Sequence, residues 1–399
     1  MISALQQYGR HVIEDDDIDA VRKVLSGDWL TTGPAVEDFE QALADFVGAR
    51  YAVVCNSGTA ALYIASRAAG LAPGDTVIVP AITFAATASA NVLAGVDVVF
   101  ADVDPDSGLM TEHHARAAFE RTKNRPAKAV FPVHLGGQLA SAEALQNFAD
   151  ENSLLVIEDA CHAIGTRYGD PAISVGACRH SAAACFSFHP VKTIAMGEGG
   201  AVTTNDAVLA GRARTLRSHG ITRDTAEFLN SDLAFDEKGE RNPWYYEIHD
   251  ISHNFRASDI NCALGFSQLK KAARFAATRR ALASHYRLRL QELAPLVTPV
   301  TLEPGVEAAW HLFSVLIDFD AIGMDRKTLM SRLRGKGIGS QVHYVPVHLH
   351  PFYRSRYPTG ELPGAMAYYR RTLSLPLSPA MTIDDVDVVV DALGDLARR

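Results

Sequence analysis

The sequence predicts an α/β fold, a seven-stranded mainly parallel sheet with helices on both faces, followed by a small α+β C-terminal unit. Three observations carry that prediction. Between residues 51 and 205, short apolar runs rich in β-branched residues alternate with stretches of helical periodicity, as buried parallel strands and their crossover helices require. The 399 residues suit two or three core-forming units. Hydrophobic residues make up 48% and charged residues 21%, the mix of a folded globular chain rather than a disordered or repetitive one.

In chain order, the seven expected strands are YAVVC from Tyr51, TVIVP from Thr76, VDVVFADV from Val96, KAVFPVH from Lys128, LLVIEDA from Leu154, AAACFSFH from Ala182 and AVTTND from Ala201. Between the first two, TAALYIASRAAGL repeats apolar residues at helical spacing, with Gly70 as a stop. Residues 76 to 96 carry no charge, but Pro80, Thr83, Thr87, Ser89, Asn91 and Gly95 divide them into strand, loop and helix rather than a membrane span. From about Ser218 to Arg256 no periodicity persists, which predicts a long loop. Ser258 then caps about thirty-five residues of helical composition, a single expected helix of ~50 Å. Beyond Val297, strands are expected at LFSVLIDF and SQVHYVPV, and helices at DRKTLMSRLRGKG and DDVDVVVDALGDLARR. The chain thus divides into an N-terminal arm (1–35), a large domain (36–257), a linking helix (258–296) and a small domain (297–399).

Charge and cysteine usage narrow the function classes. Lys plus Arg is 38 against 46 for Asp plus Glu, and the net charge of −8 argues against broad binding to nucleic acid or acidic membranes. Five cysteines, at 55, 161, 178, 185 and 262, form no CxxC pair, so neither a disulfide framework nor a zinc ribbon is expected. A reducing cytoplasm suits them. The opening MISALQQYGRHVIEDDDIDAV is polar and then acidic, unlike an export signal.

Three motifs carry chemistry. In FSFHPVKTIAMGEGG, Lys192 stands just beyond a buried strand and before a glycine-rich turn, where partial desolvation would lower its pKa and make it a nucleophilic amine. In VIEDACH, Asp159 ends a parallel strand, at the sheet edge where α/β folds place ligands. A carboxylate there suits a protonated pyridine nitrogen, although it could instead cap the next segment. In CNSGTAAL, a polar turn opens a helix whose free N–H groups and hydroxyls could converge on a phosphate, or serve only as a cap. No Walker motif or GxGxxG competes. One ligand with a phosphate, an aldehyde and a basic ring nitrogen satisfies all three motifs: pyridoxal 5′-phosphate.

Over nearly its whole length the chain resembles the DegT/DnrJ/EryC1/StrS nucleotide-sugar aminotransferases. The matching runs are LTTGPAVEDFE, CNSGTAALYIA, PAITFAATASA, PVHLGGQ, IEDACHAIG, FSFHPVKTIAMGEGGAVTTND, LRSHGITR, WYYEIHDISHNFRASDINCALGFSQLKK, QVHYVPVHLHPFY and SLPLSP. The resemblance implies the pyridoxal-phosphate-dependent transferase fold type I, like aspartate aminotransferase. SFHPVK, RSHGITR, PWYYE and QVHYVPVHL look most like the branch serving pseudaminic acid biosynthesis, which moves an amino group from L-glutamate to C4 of a UDP-linked 4-keto-6-deoxy-N-acetyl sugar.

By motif position, the resemblance implies that Lys192 joins the cofactor aldehyde and later moves the proton, and that Asp159 holds the ring nitrogen. Ser57, Gly58, Thr59 and Ser187 would bind the phosphate, Phe84 would stack on the ring, and His162 would lie beside it. Asn254 would complete the phosphate site of a neighbouring subunit, making the active unit a homodimer. Tyr8, the Asp28, Trp29, Leu30 and Thr31 segment, and His343 with Tyr344 correspond to positions facing the nucleotide sugar. Arg214, Arg217 and Arg223 could offer charge to its diphosphate. His343, His348 and His350 lack a nearby Cys or carboxylate to complete a metal site, so no metal is expected. Cys161 reads as a small buried hydrophobe. Two rivals share the cofactor: a sister enzyme acting on another nucleotide-linked keto sugar, and a non-catalytic binder that kept the fold.

Overall fold

Each of the seven expected strands forms, and all seven join one sheet. The computed structural model describes residues 8–122, 125–169 and 172–398, so the first seven residues of the N-terminal arm lie outside the described residues. The strands are β1 (Tyr51–Cys55), β2 (Thr76–Pro80), β3 (Asp97–Ala101), β4 (Ala127–Val130), β5 (Leu155–Asp159), β6 (Ala183–Ser187) and β7 (Gly200–Thr204). Their spatial order is β1-β7-β6-β5-β4-β2-β3. β7 runs antiparallel to β1 and β6, and the remaining pairings are parallel. Every residue of β2 and β7 is buried, which is why these strands read as unbroken apolar runs instead of alternating ones.

The direction of β7 positions the site. Because it runs against its neighbours, its first residue, Gly200, is in register with the last residue of β1, Cys55, and the last of β6, Ser187. Asp159, the last residue of β5, pairs with Cys185 two residues earlier. One sheet edge therefore gathers the turn before helix Gly58–Ala68, the start of the Lys192 loop and the Asp159 carboxylate.

The small unit is a three-stranded antiparallel sheet of Val297–Pro299, Phe313–Ile317 and Thr372–Leu375, with Phe313–Ile317 in the middle, covered by helices that include Arg326–Gly335 and Ile383–Ala397. The strand expected at SQVHYVPV does not form. A single bridge joins Gln341 to Ser374, after which Pro346 opens a 3₁₀ turn and the Val347 N–H donates to the Ala81 carbonyl, docking the segment at the end of β2. The third strand comes instead from TLSL in the run before Pro376.

The expected single helix from Ser258 is two helices, Asp259–Leu269 and Ala272–Leu290. No Gly or Pro marks the break. Tertiary contacts make it: the Lys271 N–H bonds the Gln268 carbonyl, and the Lys271 ammonium lies 2.7 Å from both Asp16 and Asp17 of the N-terminal arm. Residues 218–256 form mostly loop, with a short hairpin of Ile221–Thr222 and Glu247–Ile248 and one helical turn at Ser231–Ala234. No helix among the described residues is long and apolar enough to cross a membrane.

Candidate active site

The crevice opens at the edge where β1, β5 and β6 end and β7 begins. Asp159 is 5% exposed, and its position is fixed from several sides. Its backbone N–H donates to the Pro132 carbonyl, the Cys161 N–H donates to Oδ1 at 3.1 Å, and the Thr87 hydroxyl donates to Oδ2 at 2.6 Å. Thr87 lies one turn into helix Ala85–Leu93, so the residue that orients the carboxylate arrives from the segment after β2. The sequence reading passed over it; its only signal is a threonine inside the uncharged ITFAATA run.

Lys192 sits in the loop between β6 and β7, which closes on itself through Phe188 N–H to Gly199 O and Met196 N–H to Phe188 O. Part of the residue is accessible, while its amine is buried close enough to Cys161 and Asp159 to feel their charges. Burial lowers its pKa below the ordinary lysine value, and the nearby Cys161 and Asp159 oppose the shift without reversing it. Burial likewise raises the Cys161 thiol well above its usual range, so that sulfur is no nucleophile at neutral pH.

The turn at Ser57 has the shape of an anion seat. Ser57 caps helix Gly58–Ala68 by accepting from the Ala60 N–H at 3.1 Å, which leaves its own hydroxyl proton for a ligand. First-turn N–H groups of an α-helix have no partner inside the helix, and the helix dipole favours negative charge there. Gly58 and Gly200 permit the close approach this requires. A Cβ on Gly58 would meet Ser187 Cβ at 2.7 Å, and one on Gly200 would meet the Ser57 carbonyl oxygen at 2.3 Å. Ser57, Thr59 and Ser187 keep partial exposure around this junction.

Above the carboxylate, rings form a continuous chain. Phe84, at 57% exposed an unusually open aromatic, lies 5.9 Å between centroids from Tyr344. Tyr344 adjoins His343 at 4.8 Å, and His343 adjoins Tyr8 of the arm at 5.2 Å. The Tyr344 hydroxyl is 3.3 Å from His162 Nε2. Because His162 Nδ1 accepts the Gly136 N–H, its neutral ring carries the proton on Nε2 and donates it to Tyr344. His311, which the sequence reading missed, packs against His162 with ring centroids 4.4 Å apart and the planes tilted by 51°. Burial, with Lys192 nearby, pushes His162 and His311 well below the usual histidine value and His343 down to about 3. All three are neutral at physiological pH.

Other expected positions lie less centrally. Asp28, Trp29, Leu30 and Thr31 are exposed, tethered where Thr31 bridges Ser258 and the Asp259 N–H donates to the Leu30 carbonyl. Asn254 exposes its side chain beside the Ser57 turn of its own chain, where its carbonyl accepts from the Asn56 amide. Arg217 is engaged by Glu40 and the Val54 carbonyl, Arg214 stacks over Tyr51, and Arg223 is exposed. The segment with His343 and His348 is not a strand, and His343 pairs with the Ser374 hydroxyl at 2.8 Å.

A buried acid, a desolvated amine, an exposed aromatic and a helix-start anion seat on one sheet edge fit pyridoxal 5′-phosphate. Comparison with known proteins agrees. Residues 11–394 match the DegT/DnrJ/EryC1/StrS aminotransferase family. The spore coat polysaccharide biosynthesis protein SpsC of Bacillus subtilis is 37% identical over 395 residues, covering 98% of this chain and 97% of its own. Helicobacter pylori PseC, an aminotransferase of pseudaminic acid biosynthesis, superposes with a TM-score of 0.87 at 30% identity over 99% of each chain. DesI, solved with its TDP-sugar product, superposes with a TM-score of 0.83 at 30% identity over 100% of this chain and 94% of its own. The chain belongs to the DegT/DnrJ/EryC1/StrS family of pyridoxal-phosphate-dependent sugar aminotransferases.

Proposed function

We propose that this enzyme moves an amino group from L-glutamate to C4 of a UDP-linked 4-keto-6-deoxy-N-acetyl sugar, as a cytoplasmic homodimer. The observation that carries the reading is the Lys192 and Asp159 crevice roofed by the ring chain from Phe84 to Tyr8. The likeness to PseC supports the choice of sugar, and five unpaired cysteines suit a reducing compartment.

When bound, the cofactor supplies an electron sink for the negative charge left by loss of a proton beside the amino group. The chain's residues do the rest. Asp159, oriented by the Thr87 hydroxyl and the Cys161 N–H, faces the ring nitrogen and keeps a proton on it. Ser57, Gly58, Thr59 and Ser187 hold the phosphate, and Phe84 and His162 confine the ring. Lys192 Nζ, once free, takes the proton from glutamate Cα, and in the second half it delivers a proton to C4 of the sugar. Its pKa is lowered by burial, which enlarges the neutral, basic fraction of the amine. Tyr8, the Asp28–Thr31 segment, His343 and Tyr344 face the sugar. The exposed Asn254 amide reaches the partner subunit's phosphate site.

Spectra of the bound cofactor test the first half: glutamate should convert it to the amino form, and Lys192→Ala should lose both the characteristic absorbance and turnover. UDP-linked 4-keto sugars of both configurations, with the product's amino position read by NMR, test the second. A protein whose cofactor spectrum ignores glutamate is a binder, and the reading fails. A second reading keeps the chemistry and changes the sugar. The 37% identity to SpsC, a polysaccharide biosynthesis protein, favours it, and a product aminated only from another nucleotide-linked keto sugar would establish it.

A further inference from the structure

Helix Asp259–Leu269 touches both the N-terminal arm and the lysine loop, and does so with buried polar side chains. At its start, Asp259 is 1% exposed and accepts from the N–H groups of Gly33 at 2.8 Å and Ala35 at 3.1 Å, fixing the chain just beyond Asp28–Thr31. In its first turn, the Asn261 amide donates to the Met196 carbonyl of the lysine loop at 2.6 Å. Near its end, Gln268 donates to the Val12 carbonyl at 2.9 Å and to Asp17 at 2.7 Å, while its oxygen accepts from the Ala195 N–H at 3.4 Å. At the break after the helix, Lys271 donates to Asp17 at 2.7 Å and to Ser267 at 3.3 Å.

Asp17 is 0% exposed and Lys271 6%. A buried ion pair adds little net stability compared with apolar residues of similar size, because both charges must leave water. What it does supply is direction, since a buried charge tolerates only the arrangement that pairs it. Here the arrangement fixes the arm helix Asp15–Leu25, whose two flanks carry Tyr8 on one side and Asp28–Thr31 on the other. Gly9 reinforces this, packing near Val191, the residue before Lys192.

We propose that Asp17 and Lys271 are positioning residues for the sugar half of the reaction: they lock the arm to the element that also holds the lysine loop, and so set sugar affinity without entering the glutamate half. This rests on the arm facing the sugar, as proposed above. Lys271→Met leaves a carboxylate buried without its cation and risks misfolding, so the decisive variant is Asp17→Leu/Lys271→Met, which removes both charges together. In the holoenzyme, the double variant should raise KM for the UDP-4-keto sugar tenfold or more. The rate at which glutamate changes the cofactor absorbance should stay within twofold of wild type. An unchanged sugar KM, or an equal loss in both halves, overturns the proposal. Trp29→Ala separates the two layers of argument. If it raises the sugar KM while the double variant does not, the anchor alone is wrong; if neither does, the assignment of the arm to the sugar falls with it.

Discussion

Replacing Thr87 with valine tests whether the carboxylate under the cofactor is held from the segment after β2. The Thr87 hydroxyl donates to Asp159 Oδ2 at 2.6 Å and has only one proton to give. The Thr83 hydroxyl, also 2.6 Å from Thr87 Oγ1, must then donate to Thr87. Valine keeps the shape and removes both bonds. A hydrogen bond to a buried charge contributes about 1.5–3 kcal/mol, and stranding the Thr83 hydroxyl, 1% exposed, adds about 1 kcal/mol. The apoprotein should therefore lose about 2–4 kcal/mol in urea denaturation, measured at unchanged m-value. With only the Cys161 N–H left to orient it, Asp159 should also support amino transfer about tenfold more slowly, equivalent to about 1.4 kcal/mol. Thr87→Ser restores the hydroxyl and should recover most of both. A valine variant within about 0.5 kcal/mol of wild type and with full activity would refute the chain of bonds from Thr83 to Asp159.

Two further outcomes follow from the same geometry. Gly200→Ala places a Cβ 2.3 Å from the Ser57 carbonyl oxygen and 2.7 Å from the Gly58 nitrogen, so the phosphate turn must shift; equilibrium dialysis should show weakened cofactor binding, and unaltered affinity argues against the turn as the phosphate seat. Covalent capture of the cofactor aldehyde requires the neutral amine, and burial lowers the Lys192 pKa, so the capture rate by apoprotein should rise with pH and level off below the ordinary lysine value of 10.5. A rate still climbing through pH 10.5 contradicts that shift.

The strands were readable from sequence because both faces of each are covered, so YAVVC or TVIVP needs no alternation to be recognised. Asp159 and Lys192 were readable because each directly follows or ends such a strand. What escaped depends on contacts distant along the chain. Thr87 meets Asp159 across 72 positions, and Lys271 meets Asp17 across 254, so neither the carboxylate's orientation nor the helix break has a local signature. SQVHYVPV has strand composition, yet Pro346 and the docking of Val347 on Ala81 draw it out of the small sheet. His311 follows Trp310, whose φ of 44° lies in the left-handed region, so its tilted contact with His162 follows a backbone bend that no periodicity announces.

Neutral histidines at this depth have a consequence for how charge is distributed. A net charge of −8 offers a phosphate no general attraction, so the local groups must supply it. Were His162, His311 or His343 protonated, each would add a cation near Lys192, and the lysine's own charge is among the causes that hold all three neutral. Their neutrality leaves the field along the crevice to other groups, and on the proposed reading a phosphate is addressed by the N–H groups and hydroxyls of the Ser57 turn. His162 acts without charge, through the one proton it gives Tyr344, a contact between the turn after β5 and the segment that docks at Ala81. On the proposed reading, the ring chain from Phe84 to Tyr8 is the part free to change partners with a sugar, while the groups that would move the proton are fixed by the strand end and loop that carry them.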